Sequence, residues 1–99
     1  MDTLKETVHK AVAGYARKGL NSVSYVTHSD DDSILSVVTV PSAKLPAFVS
    51  LLVRVVGNLV IIERDQNDKP LVDALIQMGL TRSQIVLAYA GEFAPELTP

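Results

Sequence analysis

The sequence predicts an α+β domain: a mainly antiparallel five-stranded sheet with two helices, in the order α-β-β-β-β-α-β. Three observations lead there. Apolar residues switch along the chain between helical spacing and alternation, which separates helix from strand. Gly57-Asn58 stands between two apolar runs, a strong hairpin signal. Thr3-x-x-Glu6 and Thr81-x-x-Gln84 are capping boxes, in which side chains satisfy the free N–H groups of a helix start. The chain of 99 residues is expected to form one domain, 1–99.

The first helix is predicted from Asp2 to Lys18, with Leu4, Val8, Ala11, Val12 and Tyr15 as its apolar stripe. Gly19 suits the left-handed position that ends a helix, and Leu20 is placed to fold back on the last turn. Ser22–His28 and Ile34–Val40 read as strands joined by a Ser29–Ser33 turn. In the second, Ile34, Val38 and Val40 share one face, and Leu35 and Val37 share the other. Apolar residues on both faces predict cover on both sides. Pro41 and Pro46 interrupt the pattern before a long third strand, Ala47–Val56.

Gly57-Asn58 turns the chain back as a type II′ turn, which wants Gly first. Leu59–Arg64 is the fourth strand. Asp68 is the expected N-cap of a second helix with Pro70 in its first turn. Leu71, Leu75 and Met78 form its buried stripe, Gly79 stops it, and Leu80 is the apolar residue that comes after such a stop. Ile85–Ala90 is the fifth strand, apolar on both faces and so expected inside the sheet or under a partner. Gly91–Pro99 reads as an irregular tail.

Composition excludes several chemistries. Without cysteine there is no disulfide frame, thiol nucleophile or cysteine metal site. A net charge of −2 argues against a free-standing nucleic-acid binder, whose affinity rests on neutralising phosphates. The charged, helical start is unlike a signal peptide. The eighteen residues from Leu45 to Ile62 carry only Arg54 as charge, but Pro46 and Gly57-Asn58 divide them, so two strands are predicted and no membrane span. A cytoplasmic location is expected.

The polar residues offer few constellations. Glu63 and Asp65, two apart at a strand end, are expected to point the same way. With Asp73 they would be the carboxylates of a metal-dependent nuclease, although the Lys such sites place two residues after the second acid is missing. Asp65-x-Asn67 opens like a calcium loop, but Lys69 and Pro70 break its pattern. Asp30-Asp31-Asp32 reads as a solvated turn. His9 and His28 have no histidine partner at helical spacing, and the serines carry no nucleophile motif. Lys10, Arg17 and Lys18 share one side of the predicted first helix, where they would meet a DNA backbone.

From Asn58 to Tyr89 the chain resembles the XisI-like family, the fdxN-element excision controlling factors. The family's Ile-rich strand ending near I-x-R-D has its counterpart in Val60-Ile61-Ile62-Glu63-Arg64-Asp65. Its short helix ending in a Gly-apolar pair corresponds to Leu71–Leu80, and its P-K-E-x-I-V-L-A-F segment to Thr81–Tyr89. A Trp usual in the fourth strand is replaced by Val60 or Ile61. The D-G-T-E usual after the Arg is replaced by Asp65-Gln66-Asn67-Asp68. The resemblance is to a divergent member.

The resemblance implies a non-enzymatic accessory factor for programmed excision of a DNA element by a separate site-specific recombinase. It implies no cofactor, action through protein–protein contacts, and a companion of the XisH type. The apolar faces of strands two, three and five add the expectation of a homo-oligomer. Glu63, Arg64 and Asp65, polar at the end of an apolar strand, are the expected functional surface.

Overall fold

The computed structural model describes residues 3–92. Helix α1 spans Leu4–Ala13, and strands β1 to β4 span Ser22–His28, Ile34–Pro41, Phe48–Val56 and Leu59–Asp65. Helix α2 spans Leu71–Gln77, and β5 spans Ile85–Leu87. Single 3-10 turns at Arg82–Gln84 and Ala88–Ala90 flank β5. The strands lie in the order β1-β2-β3-β4-β5. The first four pair antiparallel, and β5 runs parallel to β4. The helix between β4 and β5 is the crossover that a parallel pair requires.

Both helices lie on one side of the sheet. Val8 and Val12 of α1 and Leu71 and Leu75 of α2 are buried against Leu35, Val37, Leu51, Val53, Val60 and Ile62. Each such side chain stabilises the fold by roughly 1.5–3 kcal/mol relative to exposure. A smaller cluster, Ile61 and Val86 with Val56, Leu59 and Ala88, packs on the other side.

Local signals act as expected at several joints. Thr3 Oγ1 accepts from the Glu6 N–H (3.2 Å) while Glu6 Oε1 accepts from the Thr3 N–H (3.3 Å). Gly57 has φ +60° and Asn58 stays at negative φ, the II′ pattern. Gly79, at φ +103°, closes α2: Leu80 N donates to Leu75 O and Gly79 N to Ile76 O. That pair of bonds is the Schellman arrangement. Gln84 Oε1 accepts from the Thr81 N–H (3.1 Å).

Other expectations fail for physical reasons. Helix α1 stops at Ala13, with Gly14 as its C-cap, and does not reach Lys18. The next residues find new backbone partners: Arg17 O accepts from Ser24 N, Gly19 N donates to Ser22 O, and Lys18 bridges to Val23. Gly19 therefore ends no helix, and Leu20 is 98% exposed instead of folding back. Asp68 is exposed and does not cap α2. Met78 is exposed because α2 ends one residue before it. Strand β5 is three residues long and forms the sheet edge, not its interior. The predicted tail is described only as far as Glu92; residues 93–99 lie outside the described part.

Candidate functional site

Two register shifts decide which way the polar residues face. In the β3–β4 pairing, Val53 is opposite Ile62 and Leu52 opposite Arg64, so Glu63 is the extra residue of a β-bulge. The bulge breaks the alternation that would have aligned Glu63 with Asp65. Glu63 Oε2 accepts from Arg54 Nε at 2.8 Å across the strands. Arg64 Nε donates to Val49 O (2.8 Å). Asp65 turns to the helix side, where its Oδ2 accepts from the Leu71 N–H (2.7 Å) and its Oδ1 from the Asn67 N–H (3.0 Å). Asp65 thus does the capping work expected of Asp68. The two carboxylates do not converge. Among the described residues, no group of three or more His, Asp or Glu side chains is arranged to hold a metal ion.

The three cations do not share a helix face either. Lys10 lies in the last turn of α1, whereas Arg17 and Lys18 lie beyond its end. Lys5, nearby, donates from Nζ to Asp31 O (2.9 Å).

The acidic turn is highly organised. Asp31 Oδ1 accepts from Ser33 Oγ (2.7 Å), Ser29 Oγ (2.9 Å) and Ser33 N (3.1 Å). These bonds, led by the Ser33 hydroxyl, hold the Asp31 carboxyl well below the usual carboxylate range. Asp32 adopts φ +57° and brings its carboxylate to both histidines. Its Oδ1 lies 2.8 Å from His28 Nδ1 and its Oδ2 3.7 Å from His9 Nδ1. The imidazole rings are 5.5 Å apart. His28 Nδ1 also lies 2.9 Å from Ser29 O, and a proton donated there leaves Asp32 Oδ1 without a donor. Sequence spacing did not reveal this cluster, because the two histidines come from separate elements.

A cleft of about 380 Å³ opens on the helix side, at the end of the sheet the helices leave bare. Its floor is Ser22 and Ser24 of β1, Thr39 of β2 and Ser50 of β3. Tyr15 and Arg17 form one wall, and the loop Gln66–Lys69 the other. Ser50 is the extra residue of the second bulge, between the pairs Val37–Leu51 and Val38–Val49. It is only 8% exposed. Tyr15 Oη donates to Lys69 O (2.6 Å) and ties the two walls together. Burial first, and then the Asp65 and Asp73 charges, push the Tyr15 hydroxyl above its ordinary pKa. In the sequence the serines among these hydroxyls stand outside any motif. The signal present was their position: Ser22 and Ser24 alternate with Val23 and Tyr25 on what should have been a core-facing row.

No protein-family model matches the chain, and no curated protein matches it. Solved structures match its fold, and two of them are informative. A XisI-like protein from Anabaena variabilis superposes with a TM-score of 0.72 at 18% identity, over 93% of this chain and 86% of that one. The fdxN element excision controlling factor XisI from the same organism gives 0.67 at 13% identity, over 93% and 91%. The fold is XisI-like. At such low identity the likeness lies in the arrangement of helices and sheet. The XisI-like fold places the bulged β4 end, the acidic turn and the hydroxyl-floored cleft at three separate points of one scaffold. No helix among the described residues is long and apolar enough to cross a membrane.

Proposed function

We propose that this protein is a non-enzymatic accessory factor for programmed excision of a DNA element by a site-specific recombinase, acting through protein contacts. The observation that carries this reading is the fold, matched over 93% of the chain by the excision controlling factor XisI. The separation of Glu63 from Asp65 removes the constellation on which the nuclease alternative rested. The dispersal of Lys10, Arg17 and Lys18 removes the shared helix face of the DNA-contact alternative.

The side of the sheet away from the helices is the contact surface in this reading. Val23, Tyr25, Val38, Val40 and Leu52 share it, as the pairings Val23–Val40, Tyr25–Val38 and Ser36–Leu52 require. A second copy of this chain is its first occupant. Strands β1 to β4, of seven to nine residues, offer a footprint of roughly 19 by 26 Å from ordinary strand dimensions. With side-chain relief added, that approaches the ~800 Å² a side of a standard interface. A XisH-like companion is the second partner in this reading.

The test is genetic. Deleting the coding sequence and sequencing the genome across growth conditions should leave an element integrated that the parent strain excises. Identical excision junctions, at equal frequency, in parent and deletion strains would overturn the reading.

A further inference from the structure

The hydroxyl floor of the cleft has a fixed polarity. Ser50 Oγ donates to Val37 O (3.2 Å), and a carbonyl can only accept, so the Ser50 proton is committed inward. Thr39 Oγ1 donates to Ser50 Oγ (3.1 Å). Ser24 Oγ lies 3.0 Å from Thr39 Oγ1 and, with the Thr39 proton already spent, must be the donor of that bond. Reversing the chain would set two buried acceptors, Ser50 Oγ and Val37 O, against each other, at the cost of an unsatisfied polar group. Tyr15 likewise spends its proton on Lys69 O. Four of the five hydroxyls that line the cleft therefore turn their protons away from it.

On such a floor Ser22 is the one hydroxyl left to donate to a phosphate or carboxylate, while the other three offer lone pairs. A ligand rich in N–H groups finds acceptors at Ser24, Thr39, Ser50 and Tyr15. Asp65 and Asp73 act on the Tyr15 hydroxyl as negative charges, Arg17 acts on it as a positive one, and Asp68 stands on the cleft wall. Of the two cations at the rim, Lys69 is turned toward Gln77 Oε1 (3.3 Å), and Arg17 is exposed.

We infer that this cleft is a binding site for a cationic, donor-rich group, a guanidinium or ammonium, seated on the lone pairs of the Ser24–Thr39–Ser50 chain with Asp68 as its counter-charge. The source is either a basic side chain of a partner protein or a free polyamine. Such a site is independent of any role in DNA excision.

Backbone amide NMR titration of the full chain tests it, with N-acetyl-arginine amide, its uncharged citrulline analogue, spermidine and sodium phosphate as probes. The arginine amide should shift the resonances of Ser24, Thr39, Ser50 and Asn67, and the citrulline analogue should do so at least threefold more weakly. Asp68→Asn, an exposed change harmless to folding, should weaken binding about threefold. Thr39→Val should weaken it about tenfold, the scale of a hydrogen bond to a charged group. Arg17→Gln should strengthen it. A Gly-Ser peptide carrying one Arg that binds tenfold tighter than spermidine identifies a protein partner, and the reverse order a polyamine. The inference falls if phosphate shifts these resonances and the arginine amide does not. It also falls if no probe shifts them, or if Asp68→Asn and Thr39→Val bind as the parent does.

Discussion

The carboxylate of Asp65 accepts the backbone N–H of Leu71 at 2.7 Å and so caps, from the end of β4, the helix that carries the chain to β5. Strand, loop and helix are joined by one side chain, which also closes an Asx turn on Asn67 (3.0 Å). Asp65→Ala should therefore cost about 1–2 kcal/mol, the range of a lost N-cap. Asp68→Ala should stay within about 0.5 kcal/mol, as an exposed change away from such features. Urea denaturation of the two variants measures both. Equal effects would remove the assignment of the cap to Asp65.

The Arg54–Glu63 pair is half-exposed, and Glu63→Gln should cost about 0.2–1 kcal/mol. The loss should shrink in 1 M salt, where screening is strong. A much larger loss that salt leaves unchanged would point to a role beyond the pair.

Leu75 is fully buried under the Gly79 stop, whereas Ile76 on the same helix is 43% exposed. Leu75→Ala should cost about 2–5 kcal/mol through lost transfer energy and the cavity left behind. Ile76→Ala should cost far less. Gly79→Ala should cost about 1–2 kcal/mol, because its φ of +103° strains any residue with a Cβ. Thermal melts monitored by circular dichroism distinguish the three.

Asp31 supplies a pH dependence. Its carboxyl titrates below the ordinary carboxylate value because the Ser33 hydroxyl, the Ser33 N–H and the Ser29 hydroxyl bond its charged form. A pKa lowered on folding gives stability that is fully present above the unfolded-state value, about 3.9. That stability is lost as pH falls through the lower folded-state value. Asp31→Asn should flatten the stability profile below about pH 4 and leave its shape from pH 6 to 8 unchanged. Denaturant midpoints measured from pH 2 to 8 check this; parallel profiles for parent and variant would contradict it.

The open side of the sheet gives the last prediction. Tyr25→Lys with Val38→Lys places two charges on an exposed and a half-buried position of one cross-strand pair. Light scattering after size exclusion should show the parent at twice the monomer mass at micromolar concentration, and the double variant as a monomer with its fold intact. A monomeric parent would exclude the second copy as occupant.

The sequence by itself determined the features that depend on short range. The Gly57 turn, the Thr3–Glu6 box and the Gly79–Leu80 stop lie within a few residues of their partners, and periodicity between such signals marks out five strands and two helices. Tertiary structure decided the rest. Two bulges, at Ser50 and Glu63, reverse the facing of the residues beyond them, and a bulge is set by pairing with a neighbour strand, not by local pattern. So Asp65 faces a helix instead of Glu63, and Ser50 joins a hydroxyl chain. Helix α1 ends early because Arg17 and Gly19 exchange helical bonds for bonds to β1. His9 and His28 meet at Asp32, and Ser24, Thr39 and Ser50 line one cleft, only when the strands are side by side. The sequence holds each of those residues, but their proximity is a property of sheet register, which local spacing does not encode.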